Sequence, residues 1–161
     1  MQLLLPFMKS PVSFGAKQGF TFIEVLLVSF ILVMLVGVAA PFFRDFLVGN
    51  DLETASIEML AMVRRARTLA EAGRHNQPFG IAVNAGGRSV TLFAGSSFAS
   101  RDPQFDEAMT FPGTLTVSGL SEFTFLYQSG LPTQTGIITF TAPALGESRA
   151  IFVNAQGLSS F

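Results

Sequence analysis

One carboxylate, Glu24, stands five residues after the Gly19-Phe20 junction, at the head of an apolar run that reaches Phe43. As a helix, the stretch from Phe20 to Phe43 rises about 36 Å, enough to cross a hydrocarbon core of about 30 Å with some tilt. A charge inside such a span costs about 2.5 to 3.5 kcal/mol, so an ionisable group there is by default functional and needs a partner. The next cation along the chain, Arg44, lies about 30 Å further on. The partner is therefore the chain's own amino terminus or a second molecule, and the second option points to assembly. The other groups able to do chemistry are sparse: a basic run of Arg64, Arg65 and Arg67 with Arg74 and His75 beyond it, and the acids Asp102, Asp106 and Glu107.

The elements that hold these groups follow from charge and periodicity. Lys9 and Lys17 precede the span, which keeps that side cytoplasmic and sends the carboxy-terminal bulk across the membrane. Beyond Pro41, Leu52, Ala55, Ser56, Met59, Val63, Ala66, Leu69 and Ala70 recur at three- and four-residue spacing, one apolar stripe on a packed helix. Gly49-Asn50-Asp51 interrupts that pattern, and Asn50 followed by Glu53 predicts a kink or a helix restart. Gly73 is the expected stop. The period then changes to two: Phe79 to Val83 and Val90 to Phe93 around a Gly86-Gly87 turn predict a hairpin. Leu115 to Val117, Phe123 to Tyr127, Ile137 to Phe140 and Ala150 to Val153 predict four further strands, six in all, in an antiparallel arrangement. Ser96 to Met109 lacks periodicity and is expected to be a surface loop.

The stretch Gly19-Phe20-Thr21-Phe22-Ile23-Glu24-Val25-Leu26-Leu27-Val28 resembles the amino-terminal signature of type IV prepilins and type II secretion pseudopilins. The resemblance implies cleavage by a prepilin peptidase after Gly19, N-methylation of Phe20 as the new amino terminus, and an assembly role for Glu24. Pro41 falls where family members carry a helix-kinking proline. Ala66-Arg67-Thr68-Leu69-Ala70-Glu71-Ala72 followed by a hairpin is similar to the GspH/FimT group of minor pseudopilins, which implies two small sheets packed on the helix. That group closes on a strand ending in Gly-Arg, whereas this chain reads Gly157-Leu158, and the missing arginine weakens the DNA-receptor role of the FimT subgroup.

The expected fold is α+β and pilin-like: leader 1–19, a transmembrane or filament-core helix 20–43, its amphipathic continuation 44–73 and a β-rich head 74–161. The leader is long for its class, and Met8 offers an alternative start. The expected setting is a bacterial inner membrane crossed once, with the head outside the cytoplasm. The expected partners are the prepilin peptidase, other pilin or pseudopilin subunits and the membrane, and no cofactor is implied.

Composition excludes other classes. There is no cysteine, hence no disulfide, thiolate metal site or cysteine nucleophile. After residue 19 the chain carries eight arginines, no lysine and eleven acids, a net charge of −3, with no strongly basic nucleic-acid footprint. Three phosphate contacts from Arg64, Arg65 and Arg67 would give a salt slope of only about −2.7, too little for tight DNA binding. A solvated face in which Arg67 pairs with Glu71 four residues on fits better. His75, the only histidine, has no companion at ligand spacing, and the loop acids do not match a calcium-binding loop. The phenylalanines alternate along strands or sit in the span, which makes them core or lipid-facing, and no serine, histidine and acid combine into a nucleophile. Two function classes remain, a structural assembly subunit and a pilus-associated DNA receptor; a membrane-anchored enzyme finds no site in the sequence.

Overall fold

The computed structural model describes residues 19–157 and 159–160. The expected leader therefore lies outside the described residues except for Gly19. Helix α1 (Phe22–Glu71) is followed by eight strands: β1 (Phe79–Asn84), β2 (Ser89–Ala94), β3 (Asp102–Thr110), β4 (Thr116–Gly119), β5 (Glu122–Phe125), β6 (Gly136–Ala142), β7 (Glu147–Val153) and β8 (Ser159–Ser160). The chain forms two compact units, one ending at Ala39 and one comprising Ala40–Phe161.

In the second unit, two four-stranded antiparallel sheets, ordered β3-β2-β1-β5 and β4-β6-β7-β8, share one core with α1. The helix contributes Leu52, Ala55, Ser56, Met59, Val63, Ala66 and Ala70 of the stripe that the periodicity marks, with Val48 and Leu60 added to it; of the expected stripe only Leu69 is half-buried. Alanine and serine on that face allow close approach, and the buried Ser56 hydroxyl is satisfied by donating to the Leu52 carbonyl at 2.7 Å. Ile81, Leu92, Phe123 and Phe125 come from the first sheet, and Ile138, Phe140, Ile151 and Val153 from the second. Phe111 meets Phe140 edge to face at 5.4 Å between ring centroids, a preferred aromatic geometry.

Gly73 ends the helix as expected. At φ 64° it is left-handed, its N–H reaches the Ala70 carbonyl at 3.1 Å, and the Gln128 N–H caps that same carbonyl at 2.9 Å. Its missing side chain leaves room for the Tyr127 ring, which would stand 3.3 Å from a Cβ there.

Two expectations are overturned. The helix neither stops nor restarts at Gly49-Asn50-Asp51, all three of which are helical. The expected capping pair does not form: Glu53 bonds Arg149 at 3.4 Å and Asp51 accepts from the Thr114 hydroxyl at 3.3 Å. Buried Val48 and Leu52 flank the weak tripeptide, so packing outweighs a local propensity deficit of about 1 kcal/mol at the glycine. Secondly, Ser96 to Met109 is not a loop throughout, because β3 begins at Asp102 and pairs with β2. It is an edge strand with a register shift between Leu92 and Ala94. With one side open to solvent and a polar composition, it carries no two-residue alternation for the sequence to display.

The outer face of the first sheet has a small core of its own. Phe93 lies fully buried across Gly80, and Phe98 from the β2–β3 connection meets it edge to face at 5.6 Å. The Arg101 guanidinium sits 3.8 Å from the Phe98 ring centroid and bonds Asp106 at 2.8 Å.

Candidate functional site

Two regions concern the expected function, the start of α1 and the arginine face near its end. At the start, Thr21 caps the helix. Its hydroxyl accepts from the Glu24 N–H at 3.3 Å, while its carbonyl receives the N–H groups of Glu24 at 3.1 Å and Val25 at 3.2 Å. Thr21 and Glu24 thus stand three residues apart in a Thr-x-x-Glu capping pattern. The four-residue signal is present in the sequence, but the apolar run around it draws the reading toward the membrane instead of the cap. Glu24 stands in the first turn of α1, at the positive end of the helix dipole. It is exposed, and no cation pairs with it among the described residues.

Around this carboxylate the helix is uncovered. Nineteen large apolar side chains between Phe20 and Leu47 are exposed, from Phe20 at 82% to Val28 at 48%. At about 1.5 to 3 kcal/mol each, leaving them in water forfeits about 30 to 60 kcal/mol, against a typical folding stability of about 5 to 15 kcal/mol. Lipid or neighbouring helices must cover this surface. The Ser29 hydroxyl turns inward to the Val25 carbonyl at 2.8 Å, so it adds no open polar group to the apolar cylinder. The helix is long and apolar enough to cross a membrane. Pro41 lies inside it and has no N–H to give the carbonyl four residues back. Gly19 and Phe20 precede the helix and are exposed.

On the other face, Arg65 bonds Glu107 of β3 at 2.6 Å and Arg67 bonds Glu71 at 2.7 Å, the latter being the pair expected from sequence spacing. Arg64 is exposed and its carbonyl accepts the Thr68 hydroxyl at 3.0 Å. The arginines are thus interleaved with acids instead of forming one positive patch. The acids Asp102, Asp106 and Glu107 are likewise dispersed on β3: Asp106 bonds Arg101, Glu107 bonds Arg65, and Asp102 accepts the Gln104 N–H at 3.1 Å. No metal-holding cluster occurs among the described residues. His75 stacks on Phe105 with centroids 4.0 Å apart. It lines a cleft of about 270 Å³ with Arg65, Arg74 and Glu107.

No protein-family model and no curated protein matches the chain. Solved structures do. The minor pseudopilin EpsH of the Vibrio cholerae type II secretion system matches with a TM-score of 0.54 at 11% identity, over 68% of this chain and 94% of EpsH. A second EpsH crystal structure gives 0.54 at 9%, over 69% and 92%. The fold is that of a minor pseudopilin. The pseudopilin architecture expected from the sequence, one long amino-terminal helix followed by antiparallel sheets, is thereby observed. At this identity the likeness concerns the path of the chain, and the roles of individual side chains rest on their own chemistry.

Proposed function

We propose that this chain is a structural subunit of a type II secretion pseudopilus or a type IV pilus. It is inserted in the inner membrane with its leader in the cytosol, cut after Gly19 by a prepilin peptidase, methylated at Phe20 and drawn into a fibre through α1. The observation that carries this reading is the uncovered apolar helix with a lone carboxylate in its first turn. A bilayer covers such a helix before assembly, and neighbouring helices cover it afterwards. In the fibre the new α-amino group of an adjoining subunit meets the Glu24 carboxylate, so that two charges that would each be costly in an apolar bundle compensate one another. The EpsH-like fold of the head supports the same role. The DNA-receptor alternative loses support on the arginine face, where Arg65 and Arg67 are engaged by Glu107 and Glu71.

The test is mass spectrometry of the membrane-bound form from cells that possess the peptidase. The expected product begins at methylated Phe20; an intact leader refutes the assignment.

A further inference from the structure

We infer that the outward face of the second sheet binds an uncharged polysaccharide. The inference is independent of how the amino terminus is processed. In β4, β6 and β7 the residues alternate: Val117, Ile138, Phe140 and Ile151 turn into the core, and their neighbours turn out. The outward rows follow from the register. Thr116, Thr141 and Ser148 stand side by side, Ser118, Thr139 and Ala150 form the next row, and Ile137 and Phe152 the third. Among the described residues no charged one belongs to this face, because Glu147 and Arg149 share the inner side with Ala142 and Phe140, and Arg149 bonds Glu53 of α1.

The two sheets treat their outer faces differently. The first covers its own with Phe93, Phe98 and Arg101. On the second, Ile137 and Phe152 stay 44% and 45% exposed, directly opposite each other. A solvated face of a soluble domain ordinarily carries Lys, Glu, Asp or Arg. This one carries hydroxyl residues on strands about 4.8 Å apart, at positions about 6.6 Å apart along each strand, with the Thr116 hydroxyl donating to the Thr141 carbonyl at 3.5 Å, bordered by an aromatic ring and a branched aliphatic chain. Such a grid matches a ligand with regularly spaced hydroxyls and an apolar C–H face, which a pyranose chain has. Charge complementarity excludes nucleic acid and acidic surfaces, since nothing here attracts a phosphate. Area argues against a second copy of the chain: three strands over five residues cover on the order of 200 Å², whereas a stable protein interface needs about 800 Å² per partner.

The test uses the full-length chain in detergent, mixed with insoluble amylose, cellulose or chitin and sedimented at low and high salt. The expected result is retention on at least one of the three, unchanged by salt, and weakened about tenfold by Phe152→Ala. Ser118→Lys, which adds a charge at an exposed position and leaves the core intact, gives a comparable loss, with the near-UV signal of Tyr127 verifying the fold of both variants. Failure to sediment with any of the three overturns the inference, as does retention that both variants keep. So does concentration-dependent self-association that Ser118→Lys abolishes in the absence of glycan binding, which makes the face a subunit contact.

Discussion

Replacing Gly80 with alanine sets two physical effects of opposite sign against each other. Gly80 lies in β1, paired to Phe93 on one side and Thr124 on the other. Backbone entropy alone makes alanine in a strand more stable than glycine by about 0.5 to 1 kcal/mol. A Cβ at this site, however, would stand 2.5 Å from Phe93 Cζ, 2.6 Å from Thr124 Cγ2 and 2.8 Å from the Phe123 carbonyl oxygen. The Phe93 ring is fully buried with Phe98 behind it, and the carbonyl belongs to the sheet. Neither yields without cost. Overpacking of this kind costs about 1 to 3 kcal/mol, and three simultaneous contacts place it toward the upper end. The net expectation is destabilisation by about 2 kcal/mol, which at a typical urea dependence lowers the unfolding midpoint by about 1 M. Urea titration of the detergent-solubilised chain can be followed through Tyr127, the only tyrosine in a chain without tryptophan, whose hydroxyl donates to Asn76 at 2.9 Å in the folded head. Phe93→Leu removes the nearest contact, so Gly80→Ala should cost less in that background, with a coupling of about 0.5 to 3 kcal/mol. An unchanged or raised midpoint for Gly80→Ala, or the same loss in both backgrounds, refutes the steric account.

Glu24→Gln should leave cleavage intact yet lower recovery in sheared fibres, whereas Thr21→Ala, which removes only the cap, should lower it much less; equal effects would reduce Glu24 to a capping residue. Glu122→Ala deprives the Phe98 N–H of a part-buried carboxylate at 2.7 Å, a loss of about 1.5 to 3 kcal/mol; limited proteolysis should then cut within Gly95–Arg101 faster than in the wild type. Arg65 and Glu107 form a pair whose side chains are 59% and 45% exposed, so replacing both with alanine should move stability by less than about 1 kcal/mol; a larger shift in the urea midpoint contradicts this. A gel-shift titration with duplex DNA should show no complex at low salt, and a shift weakened by alanine at Arg64, Arg65 and Arg67 would restore the receptor reading.

What the sequence revealed was whatever repeats. The buried stripe from Leu52 to Ala70 and the six strands with an inward alternation are periodic, and the strand ends fall within two residues of expectation except in β7, which begins at Glu147, three residues before Ala150. Gly73 was legible because a left-handed helix end favours a residue without Cβ. β3 was not, since Asp102-Pro103-Gln104 and Asp106-Glu107 obey no period when one side of the strand meets solvent. Gly49-Asn50-Asp51 misled for the converse reason: it carries the local marks of a break, and the packing of Val48 and Leu52 overrides them. Of the candidate site, Glu24 was conspicuous as a charge in an apolar run and Arg67–Glu71 through its spacing. The long-range pairs Arg65–Glu107 and Arg149–Glu53 depend on registers that no local pattern encodes.

The polar character of β3 bears on crowding. Its free border presents Asp102, Asp106, Glu107 and an imino acid, Pro103, that has no hydrogen to lend a stranger's backbone. A second head that adds along this border meets a ladder interrupted at Pro103, which opposes the zippering that leads to amyloid. The head thus carries, on one border, a guard against strand-to-strand association.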